Sequence, residues 1–400
     1  MDIGTAILII GFAALFAAFL LLVIGLVYSE LMNSDIPRGV ANSGKLRVVH
    51  GLFVGIAIVQ LIKIRDISDK NSSRNKGGRI LDRLGICHQV RFIRWFVGCF
   101  LTRLNRVPAG LRVKDLKFSE VPVRLYEATA VCRGLRRGLL YRLAPEHRYP
   151  AQLDDCEAAL RHFLTVAEAE FGVASDRVAV GGDGTGANLA AALCQRLARA
   201  AVWHLPLPCA QLLVYPALQM ADFNLPSYQQ NHAVPILFRG RMAFYFLQYL
   251  NGDMYLCQDL LEGIHVPNEL KPRYKELLSP SNLPPEFLAR GYSEPPAAEY
   301  NSEVYHAIKA GLEHEVSPLL ADDEVLRKTP PSFILTCEFD VLRDDGILYR
   351  KRLLELEREV TWRHVADGFH GMINFFNQGS LTIRSAAQVV ESVVDYMKTL

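Results

Sequence analysis

Val178-Ala179-Val180-Gly181-Gly182-Asp183-Gly184-Thr185-Gly186-Ala187-Asn188-Leu189 is the stretch on which the fold turns. A short apolar run enters a glycine-rich turn and leaves it as an alanine- and leucine-rich helix, the pattern of a buried strand bent sharply into a helix. Where such a corner carries a catalytic hydroxyl, the turn reads G-x-S-x-G. The serine then stands on a strained strand-to-helix junction with its oxygen held into a pocket. Here Gly182 and Gly186 occupy the flanking positions, and Gly184 stands where the serine is expected. The corner is complete in pattern, but its central residue has no side chain to deprotonate.

On both sides of this corner, strand and helix patterns alternate. Residues 122–126 (PVRLY), 177–180, 210–215 (AQLLVY), 332–336 (SFILT) and 360–364 (VTWRH) read as strands. Residues 153–166, 188–201, 347–358 and 381–400 have helical spacing. Strands separated by helices predict a mostly parallel sheet covered on both faces, over a domain from 111 to 400. The segment 220–319, rich in Pro, Tyr, Phe and Asn, breaks the rhythm and reads as an inserted cap.

The N-terminal part differs. Residues 3–28 carry no charge over 26 positions, which at about 1.5 Å per residue exceeds a hydrocarbon thickness of roughly 30 Å. The stretch is longer than a signal-peptide core and lacks a basic start, so residues 1–30 are expected to be an uncleaved transmembrane anchor. Residues 31–110 are expected to form a stem and N-terminal cap segment. Within it, 48–62 is apolar but too short to span, and 63–79 is a polar loop. Arg38, Lys45 and Arg47 favour a cytosolic placement of the chain beyond the anchor, whereas the sequon at Asn71 argues for a lumenal, glycosylated one.

Composition limits the possible functions. Fifty per cent hydrophobic residues and 22% charged residues suit a packed core. A formal charge of +2 provides no field for nucleic acid. The eight cysteines show no C-x-x-C spacing, so they indicate neither a zinc site nor a redox motif.

Several longer motifs carry a resemblance. Tyr141-Arg142-Leu143-Ala144-Pro145-Glu146-His147-Arg148-Tyr149-Pro150, followed by Gln152-Leu153-Asp154-Asp155, resembles the signature of the hormone-sensitive lipase group of α/β hydrolases. So does the elbow, at Gly182, Asp183, Gly186, Asn188 and Leu189. Cys337-Glu338-Phe339-Asp340-Val341-Leu342-Arg343-Asp344-Asp345 and Asp367-Gly368-Phe369-His370-Gly371 resemble that group's acid and histidine motifs. With LPSYQQN (225–231), SPLLADDEV (317–325) and the anchor added, the chain is most similar to the arylacetamide deacetylase family. The resemblance implies an α/β-hydrolase fold with a helical cap behind a transmembrane helix, in the endoplasmic reticulum membrane with the domain in the lumen. It also implies hydrophobic ester and amide substrates, lipids among them, and no metal or organic cofactor.

Acyl transfer requires a hydroxyl nucleophile, an imidazole base, a carboxylate that orients it and donors for the oxyanion. The chain order of nucleophile, acid and base fits Gly184, Asp340 and His370. Asp344 and Asp345 compete with Asp340 but are expected to open a helix, where carboxylates favour the dipole. Thr185 is expected to offer its backbone N–H to the oxyanion and cannot replace the missing serine. A second departure is a gap. The resemblance implies an H-G-G-G loop between the strand at 136–140 and the strand ending in Y-R-L-A-P, yet Leu140 joins Tyr141 directly. A parallel crossover needs a dozen or more residues, and 138–142 can supply only one strand.

Loss of a triad serine costs about 10⁶ in turnover, and loss of one oxyanion donor about 10² to 10³. The chain is therefore expected to be impaired or inactive, either as a true pseudoenzyme or as a splice or gene-model form. Two other readings remain. One is a membrane-tethered binder of lipid or of a protein. The other is a nucleotide site, since Gly182 to Ala187 satisfy G-x-G-x-x-A, although no acidic residue occurs in 201–209.

Overall fold

The computed structural model describes residues 111–128, 135–200, 206–250 and 253–400, together with 36–47, 49 and isolated positions between 21 and 28. Most of the expected anchor, nearly all of the 48–62 stretch, the polar run 63–79 and Asn71 lie outside the described residues. Among the described residues, no helix is long and apolar enough to cross a membrane. The chain divides into one unit of Met1–Ile36 and Asn42–Arg106 and a second of Pro37–Ala41 and Val107–Leu400. In the first, residues 43–47 are helical.

The second unit begins its sheet structure with an antiparallel meander of β1 (Leu111–Phe118), β2 (Val121–Ala128) and β3 (Leu135–Leu139). Phe118 pairs with Val121. Ser119 and Glu120 between them both adopt positive φ, as a two-residue type I′ connection requires. Along β2, Val121, Val123 and Leu125 are buried while Pro122 and Arg124 are exposed. This alternation turns one face onto α1 (Ala151–Phe171), where Val121 and Val123 join Leu153, Cys156, Leu160 and Phe163 in one apolar cluster.

The parallel half has the order β4 (Ala179–Asp183), β5 (Ala210–Val214), β6 (Ser332–Phe339) and β7 (Val360–Phe369). Every residue of β5 is buried, and every residue of β6 except Glu338. Near-continuous burial of this kind identifies strands covered on both faces. α2 (Thr185–Arg199) leaves directly from β4.

Residues 220–319, the expected insertion, hold α3 (Pro226–Gln230), α4 (Arg239–Leu250), α5 (Cys257–Glu262), α6 (Lys271–Leu277) and α7 (Ser302–Ile308), linked by short 3₁₀ turns. The ends of this segment meet. Leu319 N–H donates to Leu218 O at 2.9 Å. Buried Asn188 of α2 donates from Nδ2 to both Ala217 O (2.7 Å) and Val316 O (2.8 Å). After α8 (Asp323–Leu326) the chain resumes the sheet, with α9 (Arg343–Glu355) between β6 and β7 and α10 (Ser385–Thr399) at the C-terminus.

The two sheets are separate. After β3 the chain runs as coil through Tyr141–Leu143 and then mostly by turns to Pro150, so Y-R-L-A-P does not close a strand in this chain. Only Leu140 lies between Leu139 and Tyr141, far too little for a crossover. β4 is consequently the outer strand of its sheet, and Gly181 and Asp183 on it are exposed.

Candidate active site

All three sequence-predicted triad positions lie at carboxyl ends of parallel strands. β4 delivers Asp183 and Gly184, β6 delivers Asp340 and β7 delivers His370, which is where open α/β sheets collect their ligands. The pairing of β6 with β7 brings the last two together. Cys337 pairs with Val365, but Phe339 pairs with Phe369, so the ladder shifts register between them. The extra residues of β7 bring the two strand ends level, and Asp340 and His370 emerge side by side.

His370 Nδ1 lies 2.9 Å from Asp340 Oδ2. Asp340 is fully buried and the His370 side chain is 16% exposed. With the carboxylate as acceptor, the imidazole proton sits on Nδ1 and Nε2 is left as a base. Asp340 is itself fixed. Its Oδ1 accepts from Leu342 N (2.9 Å) and its carbonyl accepts from Asn231 Nδ2 (2.9 Å). Asn231 also donates to Glu338 O and accepts from Arg290 through Oδ1. Behind this loop, Glu338 contacts Arg290, Arg343 and His364. Burial raises its carboxyl pKa, but those three groups outweigh burial and hold it below the usual carboxylate range.

The elbow faces this pair. Gly184 is buried and has φ +54° and ψ −113°. Its N–H donates to Val214 O at 3.0 Å, which anchors the corner on β5. The turn is so tight that a Cβ on Gly182 would lie 2.3 Å from the carbonyl carbon of Gly186, so only glycine fits there. A Cβ built on Gly184 would lie 3.1 Å from His370 Nε2 and 3.3 Å from Cε1. Thr185 occupies the first position of α2, where the N–H has no intrahelical acceptor.

Asp344 and Asp345 take the place expected of them, in the first turn of α9. Asp344 pairs with buried Arg343 and accepts from Ser227 N. Asp345 accepts from Leu218 N (2.9 Å) and Tyr228 Oη. Both carboxylates are thus engaged away from His370, whose acid partner is Asp340.

Sequence reasoning missed Tyr215 and Asn231. Tyr215 follows β5 with φ +36°, and its ring packs against the His370 imidazole with centroids 4.8 Å apart. Its hydroxyl donates to Asp183 Oδ2 at 3.2 Å. Burial, reinforced by Asp183, pushes its phenol well above the ordinary value, so it stays a donor. The only signal was a tyrosine closing an otherwise apolar strand. Asn231 was visible solely as the last residue of LPSYQQN. Among the described residues, no group of three His, Cys, Asp or Glu side chains is arranged to hold a metal ion.

Comparisons with known proteins agree with this fold. A family described as alpha/beta hydrolase fold matches residues 138–261 and 271–374. Human arylacetamide deacetylase-like 4 is 34% identical over 406 positions, covering 93% of this chain and 94% of the relative. That alignment is longer than the whole 400-residue chain, so the relative carries segments with no counterpart here. Neutral cholesterol ester hydrolase 1 of Bos taurus is 39% identical, covering 76% of this chain and 84% of the relative. Among solved structures, the Pyrobaculum calidifontis esterase superposes with a TM-score of 0.56 at 22% identity, over 80% of this chain and 96% of that one.

Proposed function

Because the chain belongs to the arylacetamide deacetylase-like proteins of the alpha/beta hydrolase fold, we propose that Gly184, Asp340 and His370 form an ester-handling site that has lost its covalent chemistry. The ligands are hydrophobic carboxylic esters and amides, lipid esters included. Asp340 is the orienting acid, His370 the base, and the Thr185 N–H an oxyanion donor. The observation that carries this reading is the buried Asp340–His370 hydrogen bond with Nε2 aimed at Gly184. A histidine held this way serves a reacting group at the elbow.

Two features support impairment. Gly184 offers no hydroxyl, and Leu140 joins Tyr141 where the relatives' oxyanion loop is expected. Nucleotide binding is the weaker reading, because the imidazole packs against the glycine turn. A non-catalytic role as a binder of lipid or protein draws its support from the same glycine. We place the protein in the endoplasmic reticulum membrane, anchored by residues 3–28 with the hydrolase domain in the lumen. The uncharged length of that segment and the sequon at Asn71 support this placement.

The test is labelling by a fluorophosphonate probe. The protein as it stands is expected to remain unlabelled, and Gly184→Ser to label in a His370-dependent manner. Labelling of the unaltered protein at another residue, retained in His370→Ala, would remove the elbow from the reading.

A further inference from the structure

We propose that His370 activates a water molecule directly, so that this site hydrolyses esters without an acyl-enzyme; the proposal rests on the ester-handling reading above. The position a Gly184 side chain would enter lies 3.1 Å from His370 Nε2 and 3.3 Å from Cε1. A Cβ there would stand a few tenths of an ångström inside ordinary contact, so Nε2 is turned straight at the side-chain-free corner. A water standing off the Gly184 Cα on that side comes within the hydrogen-bond range of about 2.6–3.2 Å that a general base needs toward the oxygen it deprotonates. Glycine at 184 supplies the room, and the helix α2 behind it directs its positive end at the same place.

The remaining parts suit this step. Nδ1 bonded to Asp340 fixes the tautomer with Nε2 as acceptor, and Tyr215 packed against the ring holds its plane. Water oxygen adds to the ester carbonyl carbon as its proton passes to Nε2, giving an imidazolium facing buried Asp340. The carbonyl oxygen takes up the negative charge beside the Thr185 N–H. Collapse breaks the bond to the alcohol oxygen, which receives the proton from Nε2. The acid and the alcohol leave, and His370 returns to its neutral state. Every proton is returned, and no co-reactant other than water is consumed.

The full-length protein in detergent is assayed with phenyl acetate and nitrophenyl butyrate, with intact mass measured after acid quench. The expected result is slow hydrolysis above buffer with no burst, no acyl adduct and no inhibition by fluorophosphonate. His370→Ala and His370→Gln should lower it by about 10²-fold or more, the low end of general-base contributions, with cooperative melts retained. An acyl adduct on the unaltered protein, or hydrolysis unchanged by both histidine variants, would overturn the proposal. If the unaltered protein has no His370-dependent hydrolysis while Gly184→Ser labels through His370, direct water activation is wrong and the ester-handling reading stands. If Gly184→Ser folds and shows no His370-dependent reactivity either, both are wrong.

Discussion

At Gly184 the backbone already holds φ +54° and ψ −113°, a region that a residue with a Cβ enters under strain of about 1–3 kcal/mol. Gly184→Ser is therefore expected to lower stability by that order in chemical denaturation while creating a hydroxyl beside His370. A variant as stable as the parent would show that the corner relaxes. On that background, Asp340→Asn should cut probe reactivity by roughly 10⁴, because the imidazole loses the partner that sets its tautomer. Asp345 gives a test separate from catalysis. Burial pushes its carboxyl up to about 8, from an ordinary 3.8, so the folded state favours the neutral acid. Its stabilising contribution is complete below about pH 4 and is lost as the pH rises through about 8. Asp345→Asn should flatten the decline of the melting temperature across that window, and an unchanged slope would refute the assignment.

Among the elements, the shifted register of β6 and β7 and the outer position of β4 matter most. The positions of β5 and β6 were legible because strands buried on both faces are written as largely apolar runs. Their full lengths were not. β7 continues through His364 to Phe369, over Ala366, Asp367 and Gly368, which have low strand propensity and lie between the pairings of Val365 and Phe369 with β6. α9 starts at Arg343, earlier than its apolar spacing indicated, because its first turn is stabilised by Asp344, Asp345 and their partners in the 218–228 segment. The gap between Leu140 and Tyr141 was visible in the sequence, but its outcome as two separate sheets was not. Inserting an H-G-G-G segment with its strand at this join in Gly184→Ser should cover the open edge of β4. Esterase turnover should rise by about 10² to 10³, the contribution of one oxyanion donor. A folded insertion variant with no gain would show that the two sheets are not halves of one interrupted sheet.

For the whole molecule, the proposed lumenal placement of the hydrolase domain predicts a glycan at Asn71. The protein expressed in cells should shift in mobility on glycosidase treatment, Asn71→Gln should abolish the shift, and intact microsomes should protect the domain from protease. Cleavage of that domain in sealed microsomes would reverse the orientation.

What the sequence by itself determined is local and periodic. It set the elbow, the alternation that makes a parallel sheet, the order Gly184, Asp340, His370 and the absence of residues between two adjoining motifs. These are legible because backbone sterics, helical and strand periods and chemical identity act over a few positions. Only the tertiary structure supplied the means by which Asp340, already preferred from the sequence over two nearby aspartates, meets the histidine. It did so through a register shift that turns Asp340 toward His370, while Asp344 and Asp345 are spent on Arg343, Ser227, Leu218 and Tyr228. It also decided that Tyr215 and Asn231 belong to the site, and that His370 Nε2 faces the side-chain-free corner at Gly184. Those outcomes depend on distances between segments tens to more than a hundred residues apart, which no local pattern encodes.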